Sequence, residues 1–158
     1  MNKINLAEVP IVERKSPKGK FRLLRQNISR ALSGVNGLEK AGLKQPFDVE
    51  LVRLLPRAVN WPYHSHSAQW EFYFIVSGRG QVRTPDGNFD VRDGDCFIHP
   101  PGEPHQMTNT GAMDLVYYVI ADNASSDVAH YPDSKKWKIA GQENPVRVQP
   151  ANYYDGEE

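Results

Sequence analysis

A single cysteine, Cys96, is all the thiol chemistry available in 158 residues, so no disulfide can close inside the chain. One free thiol fits a reducing compartment. Within Cys96-Phe97-Ile98 it reads as a small buried hydrophobe rather than a reactive group. No apolar run approaches the roughly 20 residues that cross a bilayer. Residues 1–13 mix polar and apolar side chains, without the apolar core of a secretory leader. A cytoplasmic protein with no membrane partner is the expectation. Net charge is missing too, since 19 Lys and Arg meet 19 Asp and Glu. Overall charge therefore points to neither nucleic acid nor anionic lipid.

The balance hides an asymmetry. Residues 1–44 hold ten Lys/Arg against three Asp/Glu, and the rest of the chain holds nine against sixteen. This reads as a basic arm docking on an acidic body, its own or a partner's. The arm also lacks a helix-turn-helix pattern, which disfavours a DNA-binding regulator.

The chain is long enough for one domain with a real core. Its organisation falls into an arm over residues 1–45, a core over 46–122 and an extension over 123–158. Pro10, Pro17 and a Lys/Gly mixture make residues 1–20 an extended arm. Phe21 to Leu32 fits neither strand alternation nor a helical face, and Ser33-Gly34-Val35-Asn36-Gly37 reads as a turn or loop. From Pro46 the pattern is strand after strand. Phe47, Val49 and Leu51 alternate with Asp48 and Glu50, as in a half-buried strand. Phe72 to Val76, Gln81 to Thr84, Phe89 to Arg92, Cys96 to His99 and Leu115 to Ala121 follow, separated by Gly78-Arg79-Gly80, Asp86-Gly87 and Asp93-Gly94-Asp95 turns. Short strands at this spacing predict an all-β sandwich or barrel. After Asp122 the pattern fades into an irregular tail whose aromatics, Tyr131, Trp137, Tyr153 and Tyr154, suggest packing on the barrel or on a neighbouring subunit.

Two blocks carry chemistry. Tyr63-His64-Ser65-His66 places two imidazoles two residues apart, so both face one side of an extended segment. Glu71 follows between Trp70 and Phe72. A carboxylate in an apolar run either points to solvent or is paired. His105 lies beyond Pro100-Pro101-Gly102-Glu103-Pro104, where the prolines stiffen its approach. A barrel could bring it opposite the other three. Three imidazoles and one carboxylate suit a divalent transition metal with a position left for water or substrate. The alternative is ordinary polarity: His-X-His pairs also occur as surface residues or hydrogen-bonded core pairs. Parity turns Tyr73 and Ile75 inward with Glu71, and Met107 and Asn109 inward with His105. Tyr73 is a catalytic candidate, although a barrel wall with a bonded hydroxyl is its plainer role. Trp70 and Phe72 face outward, Arg83 reads as an outward surface residue, His99 as structural and His130 as a loop residue.

These residues resemble the cupin family. Its first motif is matched by His64, His66, Glu71 and Gly78, and its second by Gly94, Pro100, Gly102, His105 and Asn109. The first motif's opening glycine is Ala58 here. The resemblance implies a double-stranded β-helix (jelly roll) in which His64, His66, Glu71 and His105 converge on Fe, Mn, Zn, Ni, Cu or Co. It also implies a homodimer. The piece Val128-Ala129-His130-Tyr131-Pro132-Asp133, with Tyr154-Asp155-Gly156, is similar to bacterial single-domain cupins, some of them labelled sugar-phosphate isomerases. The expected function is a metal-dependent enzyme acting on a small organic molecule. A dioxygenase with a chelating substrate is narrowly preferred, because open cis positions on a His-rich iron site suit it. The alternatives are an isomerase or lyase using the metal as a Lewis acid, and a barrel that binds a small ligand without turnover.

Overall fold

The computed structural model describes residues 3–36 and 45–158. It is built of strands: β1 (Val12–Lys15), β2 (Arg22–Asn27), β3 (Phe47–Leu54), β4 (Ser65–His66), β5 (Glu71–Ser77), β6 (Arg79–Thr84), β7 (Gly87–Arg92), β8 (Cys96–His99), β9 (Gln106–Asn109), β10 (Leu115–Asp122), β11 (Val128–Tyr131) and β12 (Lys136–Ile139). One helix longer than a turn, α1 (Ile28–Asn36), is present among the described residues. The strands form a six-stranded sheet ordered β1-β2-β3-β10-β5-β8 and two three-stranded sheets, β7-β6-β9 and β12-β11-β4. Every named strand pair is antiparallel. Val52, Tyr73, Ile75, Leu115 and Tyr117 of the large sheet pack against Val82, Val91 and Met107 of β6, β7 and β9. The core therefore lies between two layers, as a jelly roll requires.

The arm is more ordered than its composition suggests. β1 and β2 form a hairpin that extends the large sheet through β2–β3 pairing. The segment that fits neither period is strand and then helix. Asn27 closes β2 and caps α1, its side-chain oxygen accepting from Arg30 N at 2.7 Å. The turn expected at 33–37 is instead helical through Asn36, with Gly37 outside the described residues. The extension likewise begins with the β11–β12 hairpin. His130, expected in a loop, sits in β11 with its ring stacked on Trp137 at 4.1 Å. Arg83 is exposed and ion-paired with Asp133 at 2.7 and 2.9 Å while lying 3.8 Å over the Tyr63 ring, which ties this hairpin to β6.

Two faces differ from what hydrophobicity alone assigns. In β3, register puts Asp48, Glu50, Val52 and Leu54 on the side of the inward residues Ala121, Val119, Tyr117 and Leu115 of β10. Phe47 is 51% exposed, whereas Glu50 is 9% exposed. The acidic residues thus turn inward and the apolar ones outward. In β8, Phe97 and His99 oppose the inward Tyr73 and Glu71, so Cys96 points out. It is an exposed thiol, not the buried one expected.

Candidate metal centre

Backbone pairing delivers the four metal-ligand candidates to one place. His64 and His105 oppose each other in an antiparallel bridge, with His105 N donating to His64 O at 2.8 Å and His64 N to His105 O at 3.2 Å. Directly opposed residues project to the same side, and the two ring centres lie 4.8 Å apart. His66, two residues along the same extended segment, follows His64 with ring centres 5.1 Å apart. Glu71 enters from β5. Its Oε2 lies 2.8 Å from His105 Nε2 and its Oε1 3.7 Å from His66 Nε2. Ligand atoms of His64, His66 and Glu71 all fall within 4.8 Å of one another, and His105 joins them through the Glu71 carboxylate.

Each imidazole is oriented from behind. The Nδ1 atoms of His64, His66 and His105 lie 2.7 Å from Pro62 O, 2.6 Å from Asp127 Oδ2 and 3.1 Å from Glu103 O. Carbonyl and ionised carboxylate oxygens only accept, so each Nδ1 carries a proton and donates it. In a neutral ring the lone pair is then left on Nε2, the atom free to take a metal. This donor set fits a divalent transition metal, and an acceptor behind each ring is the arrangement that fixes metal-bound histidines.

Electrostatics set the same states. Burial pushes the Glu71 carboxyl up. The His105 hydrogen bond and the charges of His105, His66 and His64 outweigh it and bring the carboxyl down to about 2. Burial, reinforced by the charge of His105, lowers His64 to about 4 despite the nearby Glu71. At neutral pH the carboxylate is ionised and His64 is neutral, as ligation requires.

Tyr73 is buried, donates to Glu71 Oε2 at 2.9 Å and stacks on Phe97 with ring centres 5.1 Å apart. Burial and the Glu71 charge raise its hydroxyl well above the usual tyrosine range, so it keeps its proton. His99, bonded to Glu103 Oε1 at 2.6 Å, lies parallel to His105 with ring centres 4.0 Å apart and buttresses that ring. Met107 and Asn109 point into the core as parity expected.

Four contributors lay outside the spacing argument. Asp127 not only accepts from His66 but also takes the Ala68 and Gln69 backbone N–H groups at 3.0 and 3.3 Å. Burial raises its carboxyl, yet these bonds lower it overall. Tyr131 lies over His64 with ring centres 5.9 Å apart. Arg25 and Glu50 line the opposite wall of a cavity of about 310 Å³ that also holds His64, His66, Glu71 and Tyr73. Asp127→Asn puts an NH₂ where one of these donors now bonds. It should weaken metal binding by about 10- to 100-fold. Competition against a chromogenic chelator reads this directly, with thermal unfolding of the metal-free variant confirming that it folds.

Comparison with known proteins agrees with this architecture. A family model described as the cupin domain matches residues 50–121. An uncharacterised protein of Methanocaldococcus jannaschii is 36% identical over 52 residues, covering 33% of this chain and 42% of that protein. An oxalate-binding protein of Thermotoga maritima is 29% identical over 66 residues, covering 42% of this chain and 54% of that protein. The matches thus span about half the length of these curated relatives. The crystal structure of a sugar phosphate isomerase of the cupin superfamily from Silicibacter pomeroyi superposes with a TM-score of 0.73 at 22% identity, over 96% of this chain and 97% of that one. At that identity the likeness speaks for the fold alone. Motifs, sheet order and these matches agree: residues 50–121 match the cupin domain, and the chain has the double-stranded β-helix fold of the solved cupin structure.

Proposed function

We propose that His64, His66, Glu71 and His105 hold a divalent transition metal. The site then acts on a small organic molecule that binds through its oxygen atoms. The observation that carries this reading is the set of three imidazoles, each with Nδ1 committed to an acceptor, around one ionised carboxylate. A metal bound there would polarise a carbonyl or hydroxyl oxygen as a Lewis acid. The chain's own residues do the rest. Tyr73 and Asp127 hold Glu71 and His66 in place, and Tyr131 covers the His64 side of the cavity. Oxygenase, isomerase and lyase chemistry would each start from such an oxygen-bound substrate. The test is metal analysis of protein purified without an affinity tag, beside a His64→Ala, His105→Ala variant. Near-stoichiometric metal that the variant loses supports the proposal. No metal, and no uptake of added Fe, Mn, Zn, Ni, Cu or Co, refutes it.

A homodimer belongs to the same proposal. The outer face of the large sheet carries Phe72, Phe74, Val76, Ile98 and Ile120, each at least 37% exposed. A contiguous apolar face of this kind marks an association surface. Light scattering should give a dimer mass that Phe74→Glu reduces to the monomer's. An unchanged mass would remove this face from the interface.

A further inference from the structure

The cavity that holds the candidate ligands has a second chemical end. Strand register sets the distance. Glu71, Ala121 and Asp48 form one row across β5, β10 and β3, and Tyr73, Val119 and Glu50 form the next. Two strand spacings separate the ends of each row, about 10 Å. All six residues line the same cavity.

The far end is a built site rather than a loose acidic cluster. Glu50 is 9% exposed, and its Oε1 accepts both from Arg25 Nη1 at 2.9 Å and from Asn27 Nδ2 at 2.7 Å. Among the described residues Oε2 has no hydrogen-bond partner. Asp48 is held by the Ser29 hydroxyl and by Asn27. Arg25, Asp48 and Glu50 together sum to one negative charge when both acids are ionised. Burial raises the Glu50 carboxyl, and Arg25 partly offsets that rise. Tyr73 and Tyr117, between the two ends, have hydroxyls pushed up by burial and add no charge at neutral pH.

This wall repels a second carboxylate or a phosphate and offers hydrogen bonds to hydroxyl groups. Among the described residues, Arg25 is the one cationic side chain lining the cavity apart from the histidines, and it already serves Glu50. The volume of about 310 Å³ lies at the lower end of small-molecule sites and exceeds what a two-carbon dianion fills. We infer that the ligand is a hydroxy acid with an uncharged, polyhydroxylated tail: its head sits at the histidines and its tail hydroxyls meet Glu50 and Asp48. The inference rests on the metal reading and adds the substrate class.

The test uses the full chain loaded with Co²⁺, whose visible spectrum reports ligands that reach the metal. Four probes separate the possibilities: glycolate, gluconate, glucarate and 6-phosphogluconate. Gluconate should bind about tenfold tighter than glycolate, since its tail hydroxyls add hydrogen bonds at the far wall. Glucarate and 6-phosphogluconate should bind no tighter than glycolate. Glu50→Gln removes a charge from the tail site and should tighten glucarate binding itself about tenfold, narrowing its gap to gluconate. A gain of binding cannot come from misfolding. Equal affinity for glycolate and gluconate, a preference for either dianion, or an unchanged gap in Glu50→Gln overturns the inference while leaving the metal site standing. A protein that takes up no cobalt overturns the metal reading and this inference with it.

Discussion

Glu71→Gln should lower metal affinity by about a thousandfold or more, the largest effect of any single change in this chain. Its carboxylate faces Nε2 of His105 and of His66 and lies within 4.8 Å of a His64 ring nitrogen, and it is held ionised well below the ordinary carboxylate range. Gln keeps nearly the same shape and one acceptor oxygen. It loses the negative charge that offsets a dication among neutral rings, in a place where burial magnifies charge. Tyr73, which now donates to Oε2, would meet either the amide oxygen or its NH₂. Isothermal titration with Zn²⁺ measures the loss. If the affinity changed by less than about tenfold, Glu71 would not be a ligand.

The second large effect is the pH dependence of the metal-free protein. His64 titrates at about 4 in the fold, while an unfolded histidine titrates near ~6.5. Between those values the unfolded chain binds the extra proton, so stability falls as pH drops from about 6.5 to 4. The full shift corresponds to roughly 3 kcal/mol. Glu71 acts in a lower window. Its folded value is depressed, so its contribution is complete above the unfolded carboxyl's ~4.3 and is lost as pH falls toward about 2. Urea unfolding at pH 7, 5.5 and 4 should show the first loss, and His64→Gln should flatten it. Bound metal should protect the site down to lower pH, because the proton and the metal compete for His64 Nε2.

The candidate ligands could be picked out because their geometry is local. His64 and His66 share a face by parity, Glu71 follows a four-residue connection, and the prolines before His105 mark a stiff loop. The strands of the core were legible for the same reason, since alternation and Asp-Gly turns are short-range signals. Long-range placement left no such trace. Asp127 reaches His66 across 61 positions in the sequence, and nothing around it has a period. The arm looked irregular because a two-strand hairpin with exposed β1 residues buries too little to imprint a pattern. In β3 the pattern was visible but its faces were reversed. Hydrophobicity places Phe47, Val49 and Leu51 inside, whereas the fold turns Asp48 and Glu50 toward the cavity and meets their cost with Arg25, Asn27 and Ser29. Departures of this kind concentrate where a chain accepts lower stability for a function.

Anomalous diffraction from crystals grown with Zn²⁺ would reveal whether one metal ion sits among His64, His66, Glu71 and His105. The expected result is a single strong peak about 2.0–2.2 Å from Nε2 of His64, His66 and His105 and from one Glu71 oxygen. A peak bound elsewhere, or no peak within the barrel at saturating zinc, would contradict it.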